Sequence, residues 1–321
     1  MRQKALKSAV LFFCIFLITA NFISGCRQKN GDSKHHRLKI ITTLFPLYDF
    51  TKNIAGEKAD VSLILPPGVE AHSFEPKAGD ILRINSADMF IYTGKFMEPW
   101  AENLIKGIEN KKLSIIDASS GIKFLELHND KHGHRGFHGA AEEHGNIDPH
   151  IWLDMTNVQI MIDNILTGLT KKDPINRDYY QKNAEEYKAK IVELDEKFKK
   201  NLDSCKKRVI LHGGHFAFGY LAQRYNLEYI SAYRGSPDAE PTPKIIAQMK
   251  RIIQEKDIKY IFYEEIITPR IAYVLEKETG VGLLKLHGCH NISKEEMDKG
   301  VTFISIMEEN LKNLKKGLEC P

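Results

Sequence analysis

No stretch of this sequence concentrates lysine and arginine among aromatic side chains, the pattern a nucleic-acid surface needs. Charge of either sign is nearly balanced, with 46 basic and 42 acidic residues. Positions 1–25 hold three of the basic residues and none of the acidic ones, so the remainder carries 43 against 42, a formal net of +1. A polyanion partner is therefore not expected. There is no His-Glu-x-x-His stretch, no Gly-x-Ser-x-Gly and no Walker loop. The usual sequence warrants for metallohydrolase, serine hydrolase and nucleotide chemistry are thus missing. Tryptophan (2) and cysteine (5) are scarce, and only one long apolar run occurs, Ala9 to Ile23. What remains is ample for folding. At 321 residues and 42% hydrophobic content the chain can bury two cores, taking roughly 100–200 residues per domain. A charged fraction of 27% argues against global disorder.

The apolar run is short for a membrane span and follows Arg2, Lys4 and Lys7, so residues 1–25 read as an export signal. It ends in Ile23-Ser-Gly-Cys26, which resembles the lipobox of bacterial lipoproteins. That resemblance implies cleavage before Cys26 and acylation of it, including palmitate. More than one acyl chain would hold the protein at a membrane, since each buried methylene contributes about 0.8 kcal/mol. With Cys14 in the signal and Cys26 lipidated, Cys205, Cys289 and Cys320 remain. Outside the cytoplasm one disulfide among them is plausible. Cys205 precedes a predicted strand and Cys289 follows one, which favours Cys205–Cys289. Cys205–Cys320 is the alternative, and a free Cys289 joining a metal site is a third.

Histidine is the residue type with a pattern. In Asn146-Ile-Asp-Pro-His-Ile-Trp-Leu-Asp154, His150 occupies a proline-marked turn ahead of a helical run. His72, the His212/His215 pair and the His287/His290 pair occupy similar settings at strand ends or in loops. Four such sites spread over the chain suggest one metal centre assembled by the fold. His212 lies inside a predicted strand and reads as a core residue. Residues 128–145 differ in kind: His128, His132, His134, His138 and His144 lie among glycines and charges without an apolar period. This segment reads as a flexible insertion suited to low-affinity metal capture. His35 and His36 fall in a polar tether, 26–37, and read as solvent-facing.

Periodicity predicts short strands alternating with helices on both sides of one long helix. Apolar β-branched runs at 38–44, 61–65, 89–92 and 113–117 alternate with helical segments, the pattern of a parallel sheet covered on both faces. A second alternation has strands at 208–211, 227–231, 260–263 and 282–286. Between them, Tyr180, Ala184, Tyr187, Ile191, Leu194, Phe198 and Leu202 recur every three or four residues, with no glycine from Pro174 to Asp203. The expected architecture is α/β: an N-terminal αβ lobe (38–172) and a C-terminal αβ lobe (205–321), with mainly parallel sheets. A long rigid helix (173–204) bridges them, and the metal site lies in the interlobe cleft.

The sequence resembles the solute-binding lipoproteins of ABC-type zinc and manganese importers, the cluster A-I family. The matching pieces, in order, are Pro67-Gly-Val-Glu-Ala-His-Ser-Phe-Glu-Pro76, Asp148-Pro-His-Ile-Trp-Leu-Asp154, His215-Phe-Ala-Phe-Gly-Tyr220, Ala239-Glu-Pro-Thr-Pro243 and Tyr260-Ile-Phe-Tyr-Glu264. The resemblance implies two αβ lobes joined by one helix, with metal buried between them. It places the first three ligands on His72, His150 and His215. Histidine rather than glutamate at the third position implies the zinc branch. The fourth ligand, an aspartate in the family, falls on His287, with His290 and Glu264 in reserve. The implied function is high-affinity extracytoplasmic zinc binding and delivery, as a lipid-anchored monomer, to a membrane permease with its cytoplasmic ATPase. A metal-dependent surface adhesin or a manganese receptor of the same family is the alternative.

The ligand chemistry agrees with that implication. Zinc takes four N, S or O ligands tetrahedrally, and neutral imidazoles suit it better than they suit manganese. Four protein ligands leave no open coordination position, so one tight Zn2+ as cargo, rather than an enzyme, is expected. Each imidazole needs its second nitrogen oriented, commonly by a carboxylate; Glu75, Asp154 and Glu240 are candidates.

Overall fold

The computed structural model describes residues 37–126, 135–136 (backbone only), 147–233, 242–266 and 270–321. The expected export signal, the tether up to His36 with Cys26, and the five histidines of 128–145 lie outside the described residues, as does Glu240.

The first lobe is built on strands β1 (Leu38–Thr42), β2 (Ala59–Leu63), β3 (Met89–Tyr92) and β4 (Ser114–Asp117). They form one parallel sheet in the order β2-β1-β3-β4. The second lobe uses β8 (Val209–His215), β9 (Glu228–Tyr233), β10 (Tyr260–Tyr263) and β11 (Gly282–Lys285), also parallel. Its order is β11-β10-β8-β9, with a two-residue strand, β6 (Arg135–Gly136), added beyond β9. A short antiparallel pair, β5 (Leu125–Glu126) with β7 (Ile147–Asp148), stands just ahead of His150 and was not predicted.

Both sheets are covered on both faces, and the strand residues show why. Neighbours along a strand point to opposite sides. Ile40, Met89, Ile210 and Phe262 enter a core shared by both lobes. Ile41 and Phe90 enter a separate core of the first lobe, and Leu211 and Ile261 one of the second. Helices α1 (Phe45–Ala55), α2 (Ala78–Asn85), α3 (Pro99–Gly107) and α4 (Met155–Lys172) belong with the first sheet. Helices α6 (Gly219–Arg224), α7 (Pro243–Glu255), α8 (Arg270–Thr279), α9 (Lys294–Asp298) and α10 (Phe303–Gly317) belong with the second.

The helix joining the lobes begins as a 3-10 turn at Pro174–Asn176 and continues as α5 (Arg177–Leu202), 26 residues or about 39 Å at 1.5 Å each. Its predicted apolar stripe, Tyr180 through Leu202, is buried throughout. The first half grips the N-terminal lobe: Tyr187 donates to Asp49 of α1 at 2.7 Å, and Asn183 donates to the Ile54 carbonyl at 3.0 Å. The second half grips the C-terminal lobe, where Phe198 stacks on Tyr225 and Asp195 is paired bidentately with Arg224. Arg224 also reaches Asp154, the N-cap of α4, at 3.0 Å.

The disulfide joins Cys205 to Cys320, not the favoured Cys289. Cys289 instead faces Met307 of α10, buried and free. Backbone bonds from Lys206 and Lys207 to Glu319 and Leu318 lay the C-terminus beside Cys205 and bring the bridged pair together.

Candidate metal centre

Four histidines converge between the lobes. His72 lies in the loop between β2 and α2, and His150 in the turn after β7. His215 is the last residue of β8, and His290 follows β11 in the loop that leads to α9. One ring nitrogen from each lies within 4.8 Å of the others. Nε2 of His150 is 3.2 Å from Nε2 of His72 and 3.4 Å from Nε2 of His215. Four nitrogens at the zinc distance of about 2.0–2.1 Å in a tetrahedron stand about 3.3 Å apart. His150, His215 and His290 are buried and His72 half-buried. Nε2 of His290 is buried without a protein hydrogen-bond partner, a cost hard to sustain unless a cation fills that role.

Behind the cluster stand carboxylates. Asp148 Oδ1 is 2.6 Å from His150 Nδ1 and also accepts the His150 backbone N–H. Glu264 Oε2 is 2.5 Å from His215 Nδ1, and its Oε1 accepts the His215 backbone N–H at 3.2 Å. Glu265 Oε1 is 3.3 Å from His290 Nδ1, while its Oε2 accepts the Gly288 N–H at 2.6 Å. Each partner occupies Nδ1, which turns Nε2 inward and fixes the tautomer a ligand needs. Burial pushes the Asp148 carboxyl up to about 8, only partly offset by the His150 N–H and the charge of His290. Burial would also raise Glu265, but the charge of His287 and the hydrogen bond from His290 outweigh it and hold the carboxyl at about 2. Glu264 likewise sits below its ordinary range: burial opposes this, and the attraction of His215 prevails. Burial would lower His290, but Glu265 holds it above the usual imidazole value.

Glycines make these approaches possible. His212-Gly-Gly-His215 carries a register irregularity in the β8–β9 ladder. A Cβ on Gly214 would fall 2.3 Å from Glu264 Oε1, so only glycine lets that carboxylate reach His215. The irregularity re-aims His215 while His212 stays in the core. There His212 Nδ1 lies 3.1 Å from the His215 carbonyl and 3.2 Å from the Tyr229 hydroxyl, and burial depresses its pKa to about 4.

His287, the expected fourth ligand, does not join the group. Asn310 of α10 holds both its backbone groups, at 2.7 and 2.8 Å. Its Nδ1 accepts the Cys289 N–H at 2.9 Å, and its Nε2 lies 3.8 Å from Glu296. Cys289 then takes a left-handed conformation (φ 62°) that reverses the chain and delivers His290 to the cluster. Glu264 stands behind His215 rather than among the converging nitrogens. Cys289 points to Met307, away from any metal role. Of the expected orienting carboxylates, Glu75 is exposed and Asp154 caps α4. The signal for the actual ones was legible: Asp148 stands two residues before His150, and Glu264-Glu265 closes a strand.

The family of periplasmic zinc-uptake complex component A (ZnuA) matches residues 40–317. The chain belongs to this family. It is 36% identical over 303 residues to the high-affinity zinc uptake system protein ZnuA of Bacillus subtilis, covering 94% of each chain. It is 33% identical over 300 residues to the zinc-binding lipoprotein AdcA of Streptococcus pneumoniae, covering 93% of this chain but 59% of AdcA. Among solved structures, the Zn(II)-bound ZnuA-like domain of S. pneumoniae AdcA superposes with a TM-score of 0.75 at 32% identity, covering 88% of this chain and 99% of that one. In this ZnuA-family chain, the converging histidines stand between two lobes joined by one helix.

Proposed function

We propose that the chain is an extracytoplasmic zinc receptor that delivers its ion to an ABC importer made of a membrane permease and a cytoplasmic ATPase. The observation that carries this reading is the set of four histidines whose ring nitrogens lie within 4.8 Å of one another, with His150 Nε2 at 3.2 and 3.4 Å from the Nε2 atoms of His72 and His215. The ligands are His72, His150, His215 and His290, with His290 rather than His287 as the fourth. Asp148, Glu264 and Glu265 orient three of the rings, and the two glutamates, held below the usual carboxylate range, offset the charge of the ion. Four imidazoles favour zinc over manganese by ligand type. A full protein shell suits capture and release rather than Lewis-acid catalysis. The lipobox-like sequence at Cys26 supports a lipid anchor on the outer face of the cell membrane, and residues 128–145 support weaker capture of further ions.

The test is calorimetry with zinc and with manganese on the protein lacking residues 1–26. The expected result is one tight zinc event, weak manganese binding, and a fold that survives chelation. Unfolding on chelation would instead indicate a structural metal, and preferential manganese binding would overturn the ion assignment.

A further inference from the structure

The loop that carries His72 is clamped at its root by the opposite lobe. Residues 66–69 are exposed, so little of their own lobe covers them. Their backbone groups nevertheless have buried partners across the cleft. Asn291 Nδ2 donates to the Pro66 carbonyl at 2.6 Å and to the Val69 carbonyl at 3.0 Å. The Gly68 N–H donates to the Ile292 carbonyl at 2.9 Å. Gly68 holds φ at +79°, a conformation glycine adopts without strain, and this turn accompanies that bond. Asn291 is fully buried, and its Oδ1 accepts the Ile292 N–H, which orients the amide toward the loop. The same C-terminal segment bonds the N-terminal lobe twice more. The His290 carbonyl accepts the Phe45 N–H, and the Gly288 carbonyl accepts Trp152 Nε1–H at 2.7 Å.

We propose that Asn291 is a positioning residue for the metal site: it binds the root of the His72 loop to the segment that presents His290. Resting on the ligand assignment above, this makes the least buried ligand dependent on the lobe opposite its own. His72 leaves the ion when the Asn291 clamp opens, so the clamp governs release. Removing the amide takes the donor from the Val69 carbonyl, leaves the Pro66 carbonyl with the Val69 N–H alone, and lets His72 depart while three histidines still hold zinc.

Zinc release into excess chromophoric chelator, followed by stopped flow, tests this. Asn291→Ala should speed release at least tenfold, equivalent to about 1.4 kcal/mol. Asn291→Asp, which keeps the acceptor but sets a carboxylate against two carbonyls, should speed it further. The decisive comparison uses His72→Ala. In that background Asn291→Ala should change release less than twofold, because the clamp acts through His72. An equal acceleration in both backgrounds would show a general structural role and overturn the proposal, as would no acceleration in either. If His72→Ala alone released zinc no faster than the unmutated protein, the ligand assignment would have failed and the clamp with it. A second measurement needs no variant: amide hydrogen exchange at Gly68 should slow at least tenfold on zinc binding. Exchange unchanged by zinc would also overturn the coupling.

Discussion

The two lobes share a frame and use it differently. In each sheet the first strand lies between the second and the third, β2-β1-β3 in one and β9-β8-β10 in the other. Such a reversal of strand order opens a crevice at the carboxyl ends of the strands. In each lobe a buried glutamate follows the third strand. In the N-terminal lobe it is Glu98, which accepts the Thr43 hydroxyl at 2.5 Å and the Thr93 N–H at 3.0 Å. In the C-terminal lobe it is Glu264, beside Glu265, and these face the imidazoles of His215 and His290. A hydroxyl offers a carboxylate only a dipole, whereas an imidazole can carry a positive charge or, once deprotonated, coordinate a cation. Burial therefore pushes Glu98 up to about 7, while the charge of His287, then the hydrogen bond and charge of His290, hold Glu265 at about 2 against the same penalty. The C-terminal lobe sets His215 at a strand end and His290 in the loop after β11, each backed by a glutamate; the N-terminal lobe presents His72 and His150 from loops.

The largest effect expected from this difference is at the two histidines that the C-terminal lobe backs with glutamates. His215→Ala or His290→Ala should weaken zinc binding at least 100-fold, about 2.7 kcal/mol, in competition with a chelator. X-ray absorption should count one nitrogen fewer in each variant. Retention of affinity within threefold in either would break the claim that this lobe holds the ion.

Glu98 sharpens the comparison through pH. Its folded pKa of about 7 lies above the ordinary carboxylate value of 4.5, so the folded state holds the proton more tightly than the unfolded chain. Stability from this group is therefore fully present below about pH 4.5 and is lost as pH rises to about 7, a loss of roughly 3 kcal/mol at most. Glu98→Gln should flatten that slope in urea unfolding of the metal-free protein. A slope unchanged by the substitution would show that Glu98 does not titrate in this window.

A smaller effect is expected from the orienting carboxylate. Glu264→Gln keeps the shape but removes the charge beside His215, which should cost about tenfold in zinc affinity. The nitrogen count should stay at four. A lost nitrogen would mean that Glu264 places the ring and does more than tune it.

Much of this was readable from residues alone. Strand alternation and the stripe from Tyr180 to Leu202 foretold the lobes and their helix, because burial on both sheet faces and along one helix face leaves a local period. His72, His150 and His215 stood beside prolines, glycines or strand ends, where a side chain can enter a crevice. Which of His287 and His290 converges with the other three was not legible. Choosing between His287 and His290 turns on Asn310, which holds His287 from 23 residues away, and on a left-handed Cys289. Neither leaves a periodic signal. The disulfide depended in the same way on how the last turn of the chain docks beside Lys206.

The smallest expected effect is at His287, and it isolates what the C-terminal lobe does with its second glutamate. Nδ1 of His287 lies 3.3 Å from Glu265 Oε1, the same oxygen that faces His290 Nδ1 at 3.3 Å. The two rings share one carboxylate, and His287 Nδ1 also meets the Cys289 N–H. Replacing it by Ala removes a neighbour of Glu265 without removing a ligand, and leaves that oxygen to His290 alone. His287→Ala should therefore change zinc affinity less than threefold and keep four nitrogens in the X-ray absorption shell. The metal-free fold should lose about 1 kcal/mol through the unpaired Cys289 N–H. A tenfold loss of affinity with one nitrogen missing would mean that His287 swings to the ion when zinc arrives. The lobe would then use its two histidines in turn, with the shared glutamate passing from one to the other.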